Sequence, residues 1–182
     1  MLNIANPCRM FLMVGALAAG FAVRADGTLP IPVTNNELPF LMNGQALEKS
    51  TTGMGTTTRA LDINMTLDTA DNPSAAISPK LKARCRNNEK FYAASGSVQV
   101  AENLFDIQGI CAPGSATGPR QIIATSTGRI LQFDGNFAVN AARKKSFIGN
   151  LLTIDSVTTT PETGDSVTKT ITFELYQVGA GE

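Results

Sequence analysis

The chain has 182 residues, 15 basic and 15 acidic side chains, a formal net charge of zero, 43% hydrophobic residues and no histidine. Its length supports one substantial domain. The balanced charge argues against a general nucleic-acid binder, which gains affinity by neutralising phosphates, and the lack of histidine removes Ser-His-Asp and Cys-His catalysis.

In chain order, a short polar stretch carrying Arg9 precedes an apolar run from Met10 to Val23, and Val23-Arg24-Ala25 puts small side chains at the determinant positions before a cut at Asp26. That is the layout of a secretory signal peptide over residues 1–25. The apolar run is shorter than the roughly 20 residues a spanning helix needs, so removal rather than a permanent membrane span is expected. The product is expected in the periplasm or outside the cell. Cleavage takes Cys8 and two of the 15 basic residues, Arg9 and Arg24, leaving 13 basic against 15 acidic. Cys85 and Cys111 then remain, and an isolated pair in an oxidising compartment predicts a disulfide. A zinc site would need more ligands than the pair offers, and close Cys-x-x-Cys redox spacing is missing.

Residues 26–58 are expected to be an extended N-terminal arm and linker. Pro30, Pro32 and Pro39 in "GTLPIPVTNNELPFL" suit an arm or edge strand, because proline cannot donate to a central ladder. "NGQALEKS" is compatible with one or two helical turns, and the small, glycine-bearing "STTGMGTTT" reads as a connection. Such an arm is able to pair with its own domain or with a partner's sheet edge.

From residue 59 to residue 182 the dominant signal is period two. "RALDINMTLD" sets Leu61, Ile63, Met65 and Leu67 against Asp62, Asn64, Thr66 and Asp68, the pattern of a half-buried strand. "SAAISPKLKAR" offers a short helix before Pro79, yet Lys80, Lys82, Arg84 and Arg86 also alternate with Leu81, Ala83 and Cys85. Read as a strand, that stretch carries an outward cationic row, either a solvated face or a surface for an anionic lipid, an acidic polysaccharide or an acidic protein. Arg143, Lys144 and Lys145 would extend it if the fold brought them near. "GSVQVAENLFDIQG" and "GNFAVNAARKKSFIG" predict two similar hairpins, and "RQIIATSTGRILQF" another about Ser126-Thr127-Gly128. A final hairpin is expected from Leu151 to Val178 around the turn-rich Thr158–Ser166, with Val167, Ile171, Phe173 and Leu175 inward. Cys111 shares its parity with Phe105 and Ile107, which predicts that all three face one core.

The sum is an all-β fold, a single antiparallel β-sandwich or barrel-like domain of about eight to ten short strands. No nucleophile elbow, phosphate loop or dinucleotide fingerprint occurs, so no catalytic residue, cofactor or metal is assigned. Asp62, Asp106, Asp134 and Asp155 are candidates for a carboxylate-based hydrolase only if two converge in a cleft. Asp68, Asp71 and Asn72 lack the spacing of a calcium loop, and Asn64-Met65-Thr66 matches the short glycosylation pattern. The leading expectation is a non-enzymatic exported domain that binds a protein partner or itself through an edge strand, the arm or the basic face. The alternative is a barrel or groove carrying a lipid or another small apolar ligand, lined by Phe105, Ile107, Phe137, Val139 and Phe147.

Overall fold

The computed structural model describes residues 29–33, 37–70, 78–114, 118–141, 144–155 and 168–179. Residues 1–28, with the expected signal peptide, Asp71, Asn72, Arg143 and residues 156–167, with the expected turn-rich Thr158–Ser166, lie outside them. Eight strands run β1 (Phe40–Thr52), β2 (Gly55–Ala70), β3 (Glu89–Val100), β4 (Asn103–Pro113), β5 (Arg120–Ser126), β6 (Arg129–Val139), β7 (Lys145–Asp155) and β8 (Thr168–Gln177), with one short helix, α1 (Pro79–Lys82), before β3. Each strand is antiparallel to the next, and β1 pairs with β8 from Met42↔Gln177 to Thr51↔Thr168. The sheet is therefore a closed up-and-down barrel.

Eight strands enclose an interior that side chains alone can fill. Ile63, Met65, Leu67, Ile171, Phe173 and Leu175 are buried there, as strand alternation requires. Phe173 meets Phe133 edge-on at 5.2 Å and Phe147 at 4.9 Å, and Phe137 stacks on Phe147 at 4.3 Å. Glycines make room for these rings. A Cβ on Gly149 would sit 2.0 Å from the Asp134 carbonyl oxygen, so β6 and β7 approach at Gly135↔Gly149 as no larger residue permits. Outside, the polar Asn43, Gln45, Asp62, Asn64 and Glu174 are exposed alongside the apolar Leu41, Leu47, Ile148 and Leu152. Among the described residues no helix is long and apolar enough to cross a membrane.

Of the expected arm and linker at 26–58, the part from Phe40 onward is corrected to strand and hairpin. β1 starts at Phe40, "NGQALEKS" is strand, and "STTGMGTTT" is the β1–β2 hairpin closed at Thr52↔Gly55. Threonine's preference for extended backbone outweighs the glycines there. The arm serves its own domain. Ile31 and Val33 are 2% and 3% exposed and join the interior cluster. They enter at the end of the barrel where β1 begins and β6 ends. Buried Arg120 holds them there, donating to the carbonyls of Pro30 and, at 2.7 Å, Gly118. Burial pulls its guanidinium below the ordinary value. Nearby, Lys145 pairs with Glu37 and lies 5.6 Å over the Phe40 ring.

The stretch 80–86 is not a strand. Pro79 opens α1 at its first turn, where a missing N–H costs nothing, and the helix gives way to a turn before β3. The disulfide between Cys85 and Cys111 is present, with Cα atoms 5.4 Å apart, but the expected face is wrong. A register shift between Ile107 and Gly109 inverts the parity of β4. Phe105 and Ile107 stay in the interior cluster, whereas Cys111 joins Phe91 and Ile123 on the outer wall, against Leu81 and Cys85. The disulfide thus fastens the α1 segment over the outside of β3 to β5.

Candidate functional site

The structure does not assemble the cationic row. Successive helical residues are about 100° apart, so Lys80 and Lys82 project on different sides of α1. Both are exposed, Arg84 is half-buried, and its Nε is buried without a hydrogen-bond partner among the described residues. Arg86 bonds Glu89 at 3.1 Å and also pairs with Asp134. Burial opposes its charge, but the hydrogen bonds and charges of Asp134 and Glu89 prevail and hold its pKa above the ordinary value. Lys145 is committed to Glu37, away from any basic patch.

The expected ligand cavity is also corrected in part. Phe105, Ile107 and Phe147 are buried and Phe137 half-buried, but Val139 is 53% exposed, past the end where the barrel closes. Phe137 and Phe147 stack on each other, and Arg129 lies 5.6 Å over the Phe105 ring. The carboxylates do not converge: Asp62, Asp106 and Asp134 belong to β2, β4 and β6, so another strand lies between each successive pair. Asp62 accepts a hydrogen bond from Gln45 at 3.1 Å, and the Asp155 side chain lies outside the described residues. Among the described residues no three acidic or cysteine side chains group as a metal site.

A different feature stands out, within the stretch whose composition resembles a linker. β2 is paired with β1 along Gly55–Leu67, but with β3 only along Ile63–Ala70. The β3–β4 turn at Ala101-Glu102 ends that second ladder, and the Ala101 N–H donates to the Asp62 carbonyl at 2.8 Å. Gly55–Leu61 therefore runs past its neighbour and leaves one edge open. β7 and β8 part in the same way, pairing only from Ser146↔Tyr176 to Asn150↔Thr172. Consequently β8, β1 and β2 leave the barrel together as a three-stranded finger.

Antiparallel pairing fixes which groups face the open side. Successive residues of a strand direct their N–H and C=O to alternate neighbours. Asp62 directs its carbonyl toward β3, so Ala60, Thr58 and Thr56 direct both backbone groups away from β1. Among the described residues none of these groups has a partner. The edge is also held in shape. Thr51 and Thr56 hydroxyls lie 3.2 Å apart, the Met54 N–H donates to the Thr52 hydroxyl at 3.3 Å, and Lys169 pairs with Glu48 at 3.0 Å. Residues 55–60 are exposed throughout and Met54, at the tip, is 97% exposed. The signal that was available was threonine itself: four of the residues flanking the turn are Thr52, Thr56, Thr57 and Thr58, good strand formers.

No protein-family model, no curated protein and no solved structure matches this chain.

Proposed function

We propose that this is an exported, non-enzymatic β-barrel that acts as a structural or binding protein through the open edge of its β1–β2 finger. The observation that carries the reading is the edge at Thr56, Thr58 and Ala60, whose backbone groups lack partners among the described residues. An edge of this kind is a template for strand addition, in which main-chain hydrogen bonds supply affinity and flanking side chains supply selectivity. Proline and lysine, which protect many edges, are missing from Gly55–Leu61, where Arg59 is the single charge. The barrel behind it provides a rigid base. Export is supported by the layout of residues 1–25 and by a cysteine pair placed to bond in an oxidising compartment.

Native mass spectrometry tests the reading, comparing the exported chain with a Thr56→Pro/Ala60→Pro variant. Proline removes N–H groups that no intrachain ladder uses. A protein-bound species in the wild type that the variant loses is expected. Equal binding by both chains would move the site off this edge, and a monomer carrying a small apolar mass would favour the ligand-carrier alternative.

A further inference from the structure

The edge reading leaves open what pairs there. We propose that the partner is a second copy of this chain, joined antiparallel about a two-fold axis through Thr58; the inference rests on the edge reading above. Pairing about Thr58 sets it against its own copy and Thr56 against Ala60. Those are the residues whose N–H and C=O face outward, so this one register satisfies each of them at once. A shift of one residue would oppose outward groups with inward ones, and a shift of two would leave an outward residue at one end unpaired.

Side chains agree with the register. Arg59 falls opposite Thr57 and Asp62 opposite Met54, so no like charges meet across the new ladder. The partner's turn reaches Asp62, whose carbonyl is already taken by Ala101, and stops against the β3–β4 turn. That places Met54 of one copy beside Ala101-Glu102 of the other, close to Leu104 at the start of β4. Met54 and Leu104, 97% and 60% exposed, are the two most exposed large apolar side chains of the described residues. One arrangement accounts for both the open backbone and the exposed tip. Because the same edge is used on both copies, the contact is isologous and closes at a dimer.

The test follows the mass of the exported chain by sedimentation over a hundredfold range of concentration, for wild type and Thr58→Pro, together with oxidative cross-linking of Thr58→Cys and Thr170→Cys. Thr170 lies on the same outward face two strands away from Thr58 across β1, roughly 10 Å further from the axis. The wild type is expected to reach twice the monomer mass, and Thr58→Pro to require at least tenfold more protein to do so. Thr58→Cys should give a covalent dimer and Thr170→Cys should not. The cross-link keeps the test valid if Thr58→Pro disturbs the finger. A wild type that stays monomeric, yet binds a different protein that Thr58→Pro loses, overturns the second-copy proposal and keeps the edge reading. A dimer indifferent to Thr58→Pro, with no Thr58→Cys cross-link, overturns both.

Discussion

The two ends of the barrel are built on opposite terms. At the end where β1 begins, the chain supplies a partner for nearly every demanding group. Ile31 and Val33 fill the interior, Arg120 satisfies backbone carbonyls, Lys145 meets Glu37, and the disulfide fastens α1 to the outer wall. At the other end, the finger projects with exposed side chains on both faces and an open ladder along one edge. Closure of the barrel pairs β1 on both sides, and among the described residues the longest stretch of strand paired on one side only is Gly55–Leu61 of β2, with a shorter one at Thr168–Ile171 of β8. The difference teaches that packing and exposure are separated along one sheet: the finger can be exposed because the interior cluster is filled from the opposite end.

Substitutions at the packed end should break the comparison most strongly. Ile31→Ala removes buried methyl groups from a sealed interior and should cost about 3 kcal/mol of unfolding free energy, read by urea denaturation. A loss under about 0.5 kcal/mol would mean that the arm rests on the barrel rather than filling it. For the same reason, deleting residues 26–42 is a poor probe of assembly. It would remove Ile31, Val33, Phe40 and Met42, all buried, and unfold the domain that carries the edge. Opening the disulfide comes next. Replacing both cysteines by alanine should lower stability by about 3 kcal/mol through the freedom returned to the unfolded chain. Because the bond lies outside the barrel, near-ultraviolet circular dichroism of the interior aromatic cluster should persist; its loss would place the disulfide in the core after all.

How much of this was legible follows from which signals are local. Inward positions such as Ile63, Met65, Phe173 and Leu175 were readable because burial on one face imposes period two. The hairpins at Ala101-Glu102 and Ser126–Arg129 announced themselves through their turns. Period two misled in two places. At Lys80–Arg86 a run of seven residues is too short to separate strand from helix, and the decisive cue was Ser78-Pro79, a helix start. At Cys111 strict alternation would hold only along an unbroken ladder, and the register skip at Gln108, between Ile107 and Gly109, reverses it. The open edge was invisible for a deeper reason. It exists because β2 is longer than its pairing with β3, and the lengths of non-adjacent ladders are properties of the assembled sheet.

Hydrogen exchange sharpens the contrast within the finger itself. In monomeric protein the amides of Thr57 and Arg59, directed at β1, should exchange on the order of tenfold more slowly than those of Thr56, Thr58 and Ala60. That alternation is a signature of a formed but one-sided ladder. Uniform fast exchange would mean the finger is unpaired on both sides, and uniform protection would mean a partner already covers the edge. At concentrations where copies associate, the alternation should fade, since the outward amides gain acceptors while the inward ones keep theirs.

The smallest effect is expected at the boundary between the two regimes. Ala101 holds a left-handed backbone, φ 52°, while its N–H caps the paired part of β2 at Asp62. A left-handed conformation costs a non-glycine residue about 1–2 kcal/mol, and glycine's extra freedom in the unfolded chain costs about 0.5–1 kcal/mol. Ala101→Gly should therefore stabilise the protein by about 0.5 kcal/mol, read as a small rise in the denaturation midpoint with an unchanged slope. The exchange pattern at Thr56, Thr58 and Ala60 should not move, because the turn ends the β3 ladder by its position and not by its strain. If relieving the strain instead protected Ala60, the open edge would be a consequence of a distorted turn, and the division between the packed barrel and the exposed finger would rest on a single residue.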